Sequence, residues 1–280
     1  MYSSMISSAN TMGQIQQQMD GISNNLANTN RTGYKRREAS FSELLFQQMN
    51  NNTAPNTEAG RLTPLGLRSG AGAAIAQTAL RLEHGSLQET GRDLDFALTE
   101  KGYFFQVESM NNQGEAETQY TRDGSFYLTE NPDNPDTWTL VNNEGDYLLN
   151  NDGERMNVPG TASNFQLADD GTLTAEVDGE EAEIGQIELA RATKPQLLEA
   201  VGGSNFRLPD LEALDLEEAD VIEFVAGENS RIIQGSLEQS NVDLSKEMTD
   251  LTTAQRSYSF NSRALSQGDQ MMGLINSIRG

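Results

Sequence analysis

Two long heptad patterns, one near each end of the chain, most restrict how this sequence can fold. Near the N terminus apolar residues recur every seven positions: Met5, Met12, Met19 and Leu26, with Ile15 and Ile22 at the alternate position. The same spacing recurs near the C terminus: Leu237, Leu244, Leu251, Tyr258, Leu265 and Met272, flanked by Met248, Ala254 and Ile275, with Gln255, Ser262 and Asp269 at other seam positions. Such spacing predicts helices that bury one narrow stripe against each other. We expect two long terminal helices, the second of about 40 residues, that meet as a coiled-coil-like module.

Charge is concentrated between these two helices. Residues 81–235 hold 33 Asp and Glu against 9 Lys and Arg, whereas the rest of the chain holds 9 acids against 10 bases. Because like charges repel when subunits pack closely, the neutral ends suit close packing and the acidic middle suits a solvated surface. An acidic surface of the halophilic or alkaliphilic kind is an equally good interpretation. The net charge of −23 argues against nucleic acid or an anionic membrane as partner, since both need clusters of Lys and Arg.

Strand and turn signals fill the middle of the chain. Aromatic and β-branched runs alternate with Asp-Gly and Glu-Gly-Asp turns: 103–107, 119–122, 126–128, 138–141 and 147–149, then hairpin signals at 165–173 and 174–189. These runs predict an antiparallel β domain. Asn50-Asn51-Asn52, Pro55 and Pro64 precede it and predict irregular or extended chain. The predicted fold is α+β: residues 1–36 with 236–280 as a helical core for polymerisation, 37–80 as an extended linker, and 81–235 as an acidic β-rich outer domain.

Residues for catalysis or metal binding are few. The chain has no cysteine and one histidine, His84, so a Ser/His/Asp triad would depend on His84 alone, and no Gly-x-Ser-x-Gly motif accompanies it. Asp169-Asp170-Gly171 and residues 150–154 look like fragments of calcium loops, but they lack the alternating ligands and the twelfth-position Glu. Turns explain both better. The sequence predicts no enzyme activity, no cofactor and no metal site, with His84 in a structural or surface role.

Segments that enter or cross membranes are not predicted. No stretch approaches about 18 consecutive apolar residues, the length that spans a bilayer. The first thirty residues lack the basic and apolar regions of a cleaved signal peptide. The sequence therefore predicts no membrane insertion and no signal cleavage.

A fourteen-residue motif follows the first predicted helix seam. It reads Ile22-Ser23-Asn24-Asn25-Leu26-Ala27-Asn28-Thr29-Asn30-Arg31-Thr32-Gly33-Tyr34-Lys35. Asn side chains cap and turn the backbone through local hydrogen bonds, and a glycine permits the reversal that follows. The motif resembles the N-terminal signature of the flagellar rod and hook proteins.

Three further blocks in the same order strengthen this resemblance. The blocks are residues 85–98 with 102–107, then Tyr120-Thr121-Arg122-Asp123-Gly124-Ser125-Phe126, and last Gln234-Gly235-Ser236-Leu237-Glu238-Gln239-Ser240-Asn241-Val242-Asp243-Leu244 with Glu247-Met248 and Gln255-Arg256-Ser257-Tyr258. The last block is similar to the family's C-terminal signature over nearly its whole length. The four blocks extend from one end of the chain to the other. Arg31, Glu100 and Lys101 depart from the usual pattern, at positions that bear on surface chemistry.

The resemblance implies a structural subunit of the bacterial flagellar basal body, nearest to the distal-rod type of Bacillus-like bacteria. A short hook subunit is an alternative, and so is a secreted β-domain enzyme or binding module with oligomerisation helices. The resemblance further implies export through the flagellar type III apparatus and assembly with itself and with other rod and hook subunits. The product would be a hollow helical tube that transmits torque. We expect the assembly interface at the seam residues: Met5, Met12, Ile15, Met19, Ile22, Leu26, Leu237, Leu244, Met248, Leu251, Tyr258, Leu265 and Met272.

Overall fold

The chain forms two compact units, each built from segments that are distant in sequence. The computed structural model describes residues 2–43, 46–49, 67–70, 73–110, 114–131, 134–226 and 231–279. The helical unit comprises Met1–Leu26, Arg37–Ala79 and Leu244–Gly280. The β unit comprises Ala27–Arg36 and Leu80–Asp243.

Two helices dominate the helical unit. Helix α1 spans Tyr2–Ala27 and helix α2 spans Leu244–Arg279. They run antiparallel, because Met5 near the start of α1 lies against Gly268, while the Asn25 side chain near its end donates to Glu247 Oε2 at 3.3 Å. The prediction of long terminal helices is confirmed; their supercoiling as a coiled coil stays a prediction.

In the part of the chain that the structure describes, the helical unit also contains four strands. They are β1 Arg37–Glu43, β2 Phe46–Met49, β3 Leu67–Gly70 and β4 Ala73–Leu80. Strand β2 pairs antiparallel with β3, and β1 pairs with β4. The segment predicted as an extended linker thus contains paired strands. Its residues 44–45, 50–66 and 71–72, including Asn50-Asn51-Asn52, Pro55 and Pro64, lie outside the described residues.

Among its described residues, the β unit holds the remaining strands and three short 3-10 helices, at Pro195–Leu197, Glu212–Leu214 and Glu218–Asp220. The strands are β5 Leu87–Glu89, β6 Phe96–Leu98, β7 Tyr103–Met110, β8 Ala116–Thr121, β9 Tyr127–Glu130, β10 Thr137–Val141, β11 Tyr147–Leu148, β12 Asn157–Pro159, β13 Ser163–Leu167, β14 Thr172–Val177, β15 Glu180–Gln186, β16 Glu188–Ala192, β17 Glu199–Gly202, β18 Asn205–Arg207, β19 Ile222–Ala226, β20 Ile232–Gln234 and β21 Ser236–Glu238. The antiparallel β-rich middle predicted from the sequence is confirmed.

One large sheet organises the β unit, in the order β12-β10-β11-β7-β8-β18-β17, with β16 and β19 joined beside β7 and β9 beside β10. Strand β7 is buried on both faces. Phe105 belongs to the main core, where it meets Phe126 edge-on with ring centroids 5.6 Å apart, while Phe104 points into a second core and meets Phe206. Because neighbouring side chains of a strand face opposite ways, one strand connects both cores.

The second helix begins later than the seven-residue spacing predicts. Leu237 lies in strand β21 and pairs with Gln88 of β5. The prediction that Leu237 belongs to the helical seam was therefore wrong. Gly235 has φ +72°, a left-handed conformation that glycine tolerates, and it turns the chain between β20 and β21. Helix α2 therefore contains 36 residues.

Candidate assembly surface and the Glu238 junction

The contact between α1 and α2 is narrow and largely uncharged. Ile15, Ile22 and Ala254 are buried, and Met19, Leu251 and Tyr258 pack against them. The remaining predicted seam residues that lie partly buried are Met5, Met12, Leu26, Leu265 and Met272.

Helix α2 packs on α1 through two neighbouring stripes of residues, and Leu251, Tyr258, Leu265 and Met272 form the first. The residues of the second stripe differ from those predicted from the sequence. It consists of Glu247, Ala254, Asn261 and Gly268, whereas Gln255, Ser262 and Asp269 are exposed. Small residues explain the choice, because they let the helices approach closely: a Cβ added to Gly268 would lie 3.0 Å from Met5 Cγ. The sequence signal for this stripe was the pair of small residues at i and i+14.

Large apolar side chains of α2 remain exposed after this pairing. Leu244 and Met248, both predicted seam residues, are about half exposed, as are Met271 and Ile275. Phe260 is 73% exposed and Leu274 is 61% exposed. We define the outer stripe as residues at alternating spacings of four and three along α2: Phe260, Ala264, Gln267, Met271 and Leu274. All five are exposed.

A second site lies within the β unit, where the four sequence blocks converge on the carboxylate of Glu238. Its Oε1 accepts from Lys35 Nζ at 2.6 Å and from the Gly85 amide at 3.0 Å. Its Oε2 accepts from Arg122 Nε at 2.9 Å. His84 Nδ1 lies 3.4 Å from Oε1 at the rim. The side chains of Glu238, Lys35 and Arg122 are at most 1% exposed.

Close backbone approaches bring these blocks together, and glycine permits them. Gly33 has φ +66° and donates its amide to the Glu238 carbonyl at 2.8 Å. A Cβ at Gly33 would lie 2.4 Å from the Arg122 carbonyl carbon, and one at Gly85 would lie 1.8 Å from the Gln239 carbonyl oxygen. Since real Cβ atoms do not approach so closely, larger residues would force these segments apart.

Side chains tie the motif segment that follows α1 to the β unit. Thr32 Oγ1 donates to Asp123 Oδ1 at 2.7 Å, and Ser204 Oγ donates to the Thr32 carbonyl at 2.9 Å. The Arg31 guanidinium pairs with the Glu144 carboxylate. We call the meeting of residues 31–36, 81–85, 122–123 and 236–241 the junction.

Asn241 closes the junction from the C-terminal side. Its Oδ1 accepts the Arg36 amide at 2.7 Å, while its Nδ2 donates to the Arg81 and Glu83 carbonyls at 2.8 and 2.9 Å. These bonds satisfy three backbone groups that no strand pairs. An Asn supplies both acceptor and donors in one short side chain, which explains why this residue type suits the position.

Burial and mutual charge shift the pKa values of Lys35, His84, Arg122 and Glu238. Burial, and then the nearby Arg122, lowers the pKa of Lys35 to about 8, although Glu238 opposes this. Burial also lowers the pKa of Arg122. Burial would raise the pKa of Glu238, but Arg122 and Lys35 outweigh it and hold that pKa below its ordinary value. Burial and Arg122 lower the pKa of His84.

The motif residues named from the sequence divide between the two units. Asn25 is buried in the helical unit, where it receives the Arg37 amide at 3.1 Å. Tyr34, Lys35 and Val242 are buried in the β unit. Gly33 is buried there as well. The other motif residues are exposed or partly buried: Asn24, Leu26, Ala27, Asn28, Ser240 and Asn241. Sequence reasoning missed Glu238 and Arg122 as site residues, because each is a single charged residue within a motif block and carries no local sign of burial.

The described residues include no group of three or more His, Cys, Asp or Glu that would hold a metal ion. Within the same ranges no helix is long and apolar enough to cross a membrane.

Comparison with known proteins agrees with these features. Residues 97–175 match the model "Flagellar hook protein FlgE/F/G D1 domain", and residues 233–278 match "Flagellar basal body rod FlgEFG protein C-terminal". The chain is 40% identical over 284 residues, covering 100% of both chains, to the flagellar hook-basal body complex protein FlhP of Bacillus subtilis (strain 168).

Two flagellar basal-body rod proteins FlgG are also similar. The one from Borreliella burgdorferi is 32% identical with 94% of each chain covered, and the one from Bacillus subtilis is 30% identical with 97% of each covered. The matched models cover strand β7, residues 122–123 and 236–241 of the junction, and the outer stripe of α2. The chain belongs to the flagellar rod and hook protein family.

Proposed function

We propose that this protein is a non-enzymatic structural subunit of the flagellar rod, which polymerises with itself and joins other rod and hook subunits. Its relatives are named basal-body rod proteins and a hook-basal body complex protein, and these names support a role in the rod. Export through the flagellar type III apparatus without signal cleavage is part of the proposal. So is assembly into a hollow helical tube that transmits torque.

The observation that carries this proposal is the outer stripe of α2. Phe260 and Leu274 are more exposed than large apolar side chains usually are in a folded chain, and Met271 lies between them on the same face. Pairing with α1 uses a different face of α2, so the outer stripe stays available to another subunit. An exposed apolar stripe on a long helix is typical of a surface that packs against a further helix.

Burial of this stripe gives assembly a substantial driving force. Each large apolar side chain that is fully buried contributes roughly 1.5 to 3 kcal/mol. Association of two proteins costs about 4 to 15 kcal/mol in lost freedom of motion. Three such side chains from each of two subunits are needed to approach that cost. A subunit in a helical lattice has several neighbours, so contacts that are weak singly give a stiff polymer.

Charging the outer stripe tests the proposal. Phe260→Glu and Leu274→Glu are expected to abolish rod assembly and swimming, because a carboxylate in an apolar contact is costly to bury. Ser262→Glu is the matched control: it adds the same charge at an exposed position of the same helix outside the stripe. Circular dichroism of each purified variant tests whether it still folds. Assembly by Phe260→Glu equal to that by Ser262→Glu would contradict this surface.

A short hook subunit is the second candidate, since one matched model describes a hook protein domain. Electron microscopy of basal bodies carrying a labelled subunit distinguishes the two. Label between the motor and the hook supports the rod, and label along the hook supports the alternative. Mass spectrometry of the assembled subunit tests whether its N terminus is retained on export.

A further inference from the structure

The junction buries more positive than negative charge, and its charged residues lie far apart in the sequence. Two buried cations, Lys35 and Arg122, share the carboxylate of Glu238, so the charge of the three groups does not balance. Lys35 and Glu238 are separated by 203 residues along the chain. Among the described residues Arg122 Nη1 is buried without a hydrogen-bond partner, which adds to the cost of leaving this guanidinium without its counter-charge.

We propose that Glu238 is a positioning residue that fastens the segments next to both helices, residues 31–36 and 236–241, to the β unit as a latch. This inference goes beyond the proposed function, because it concerns the single subunit and holds whether or not that subunit forms a rod.

The bonds of the junction explain why one carboxylate controls both segments. Segment 31–36 is attached through Lys35 Nζ and through the Gly33 amide, which donates to the carbonyl of Glu238 itself. Segment 236–241 is attached through the Gly85 amide and through the Gln239 amide, which donates to the Ser86 carbonyl. These four attachments all involve Glu238 or its neighbour Gln239, whereas the bonds of Thr32 and Asn241 described above do not. Removing the charge therefore loosens both segments at once.

Neutralising this carboxylate leaves two cations buried without a counter-charge. Glu238→Gln also turns one acceptor into a donor that faces Arg122 or Lys35, both of which are donors. Breaking a buried pair by removing one partner is strongly destabilising. Removing the surplus cation Lys35 is expected to cost less, because the buried carboxylate then keeps one counter-charge. In Lys35→Met the Arg122–Glu238 pair remains, and the Glu83 carbonyl keeps its bond from Asn241.

Hydrogen exchange on the purified full-length protein measures the latch. The reporters are the amides of Gly33, Arg81 and Gln239, which donate to the carbonyls of Glu238, Arg36 and Ser86 respectively. In Glu238→Gln we expect them to exchange about 100-fold faster, while amides of β7 and β8 stay protected. Glu223→Gln is the control, because Glu223 belongs to an ion pair with Arg191 in which both side chains are more than half exposed.

A double variant separates charge from packing. If the surplus cations drive the opening, Lys35→Met/Glu238→Gln is expected to exchange at least about tenfold more slowly than Glu238→Gln at the three reporter amides. Additive effects of the two substitutions would overturn the proposal. So would reporter rates in Glu238→Gln equal to those in Glu223→Gln, or equal acceleration of the reporters and of the β7 and β8 amides.

The pH profile of the unaltered protein is an independent test. The charged groups that face Glu238 are Lys35, Arg122 and, at the rim, His84. Because the pKa values of His84 and Glu238 lie below 6.5 and 4.5 in the closed junction, the open form binds more protons, and acid favours opening. Protection at the reporter amides, corrected for intrinsic exchange, should fall from pH 7 to pH 4 before that of β7. Protection that is unchanged over this range would overturn the latch.

Discussion

Substituting Gly33 with Ala tests whether the junction depends on a backbone approach that glycine alone permits. At φ +66° an alanine is strained by about 1 to 2 kcal/mol. Its Cβ would also lie 2.4 Å from the Arg122 carbonyl carbon and from the Asp123 amide nitrogen. Both are backbone atoms, so they cannot move aside as the end of a flexible side chain could. Overpacking of this kind costs about 1 to 3 kcal/mol. The two effects together predict a loss of roughly 2 to 5 kcal/mol in the free energy of unfolding.

Gly91 provides a matched control for the conformational part of this loss. Its φ is +70°, and no atom of the described residues would lie within 4 Å of a Cβ placed there. Gly91→Ala should therefore show the strain alone, about 1 to 2 kcal/mol. Urea unfolding of the β unit is followed by the fluorescence of Trp138, the single tryptophan of the chain. Equal losses in the two variants, within about 0.5 kcal/mol, would refute the contact between Gly33 and the Arg122 backbone.

Three further outcomes are expected. His84→Ala keeps swimming and assembly intact and removes part of the acid sensitivity of folding: because its folded pKa lies below 6.5, unfolding takes up a proton and stability falls as the pH drops through that value. Ile15→Asp costs several kcal/mol and separates α1 from α2 in circular dichroism and exchange, whereas Gln16→Asp, at an exposed position, does not. A fragment of residues 27–243 unfolds cooperatively in urea, and one of 81–231, which lacks parts of the junction, does not.

Much of the secondary structure was predictable because its signals are local. The seven-residue spacing of Met5, Met12 and Met19 identified α1, and the apolar runs between Asp-Gly turns identified strands such as β7 and β14. Each signal lies within about 15 residues of the chain, and each element buries the face that its pattern indicates. Such elements can be predicted from the sequence without knowledge of contacts between distant residues.

The start of α2 and the Glu238 junction were not predictable on the same basis. Leu237 continues a seven-residue repeat, but pairing of β21 with β5, about 150 residues away in sequence, determines its conformation. The junction needs partners from four separate blocks, and a single glutamate in a polar motif carries no sign of burial. Only the glycines hinted at it, since Gly33 and Gly85 stand where two backbones touch.

The distribution of charge explains how one subunit combines solubility with assembly. At an interaxial distance of 8 to 10 Å, two packed helices lie about one Debye length apart at physiological salt, so like charges on facing stripes would still repel. The outer stripe avoids this repulsion, because its five residues include no ionisable side chain. The acids are placed instead in residues 81–235, whose net charge of −24 opposes non-specific association of the β units. Contact through an uncharged stripe then depends on apolar burial and varies little with salt.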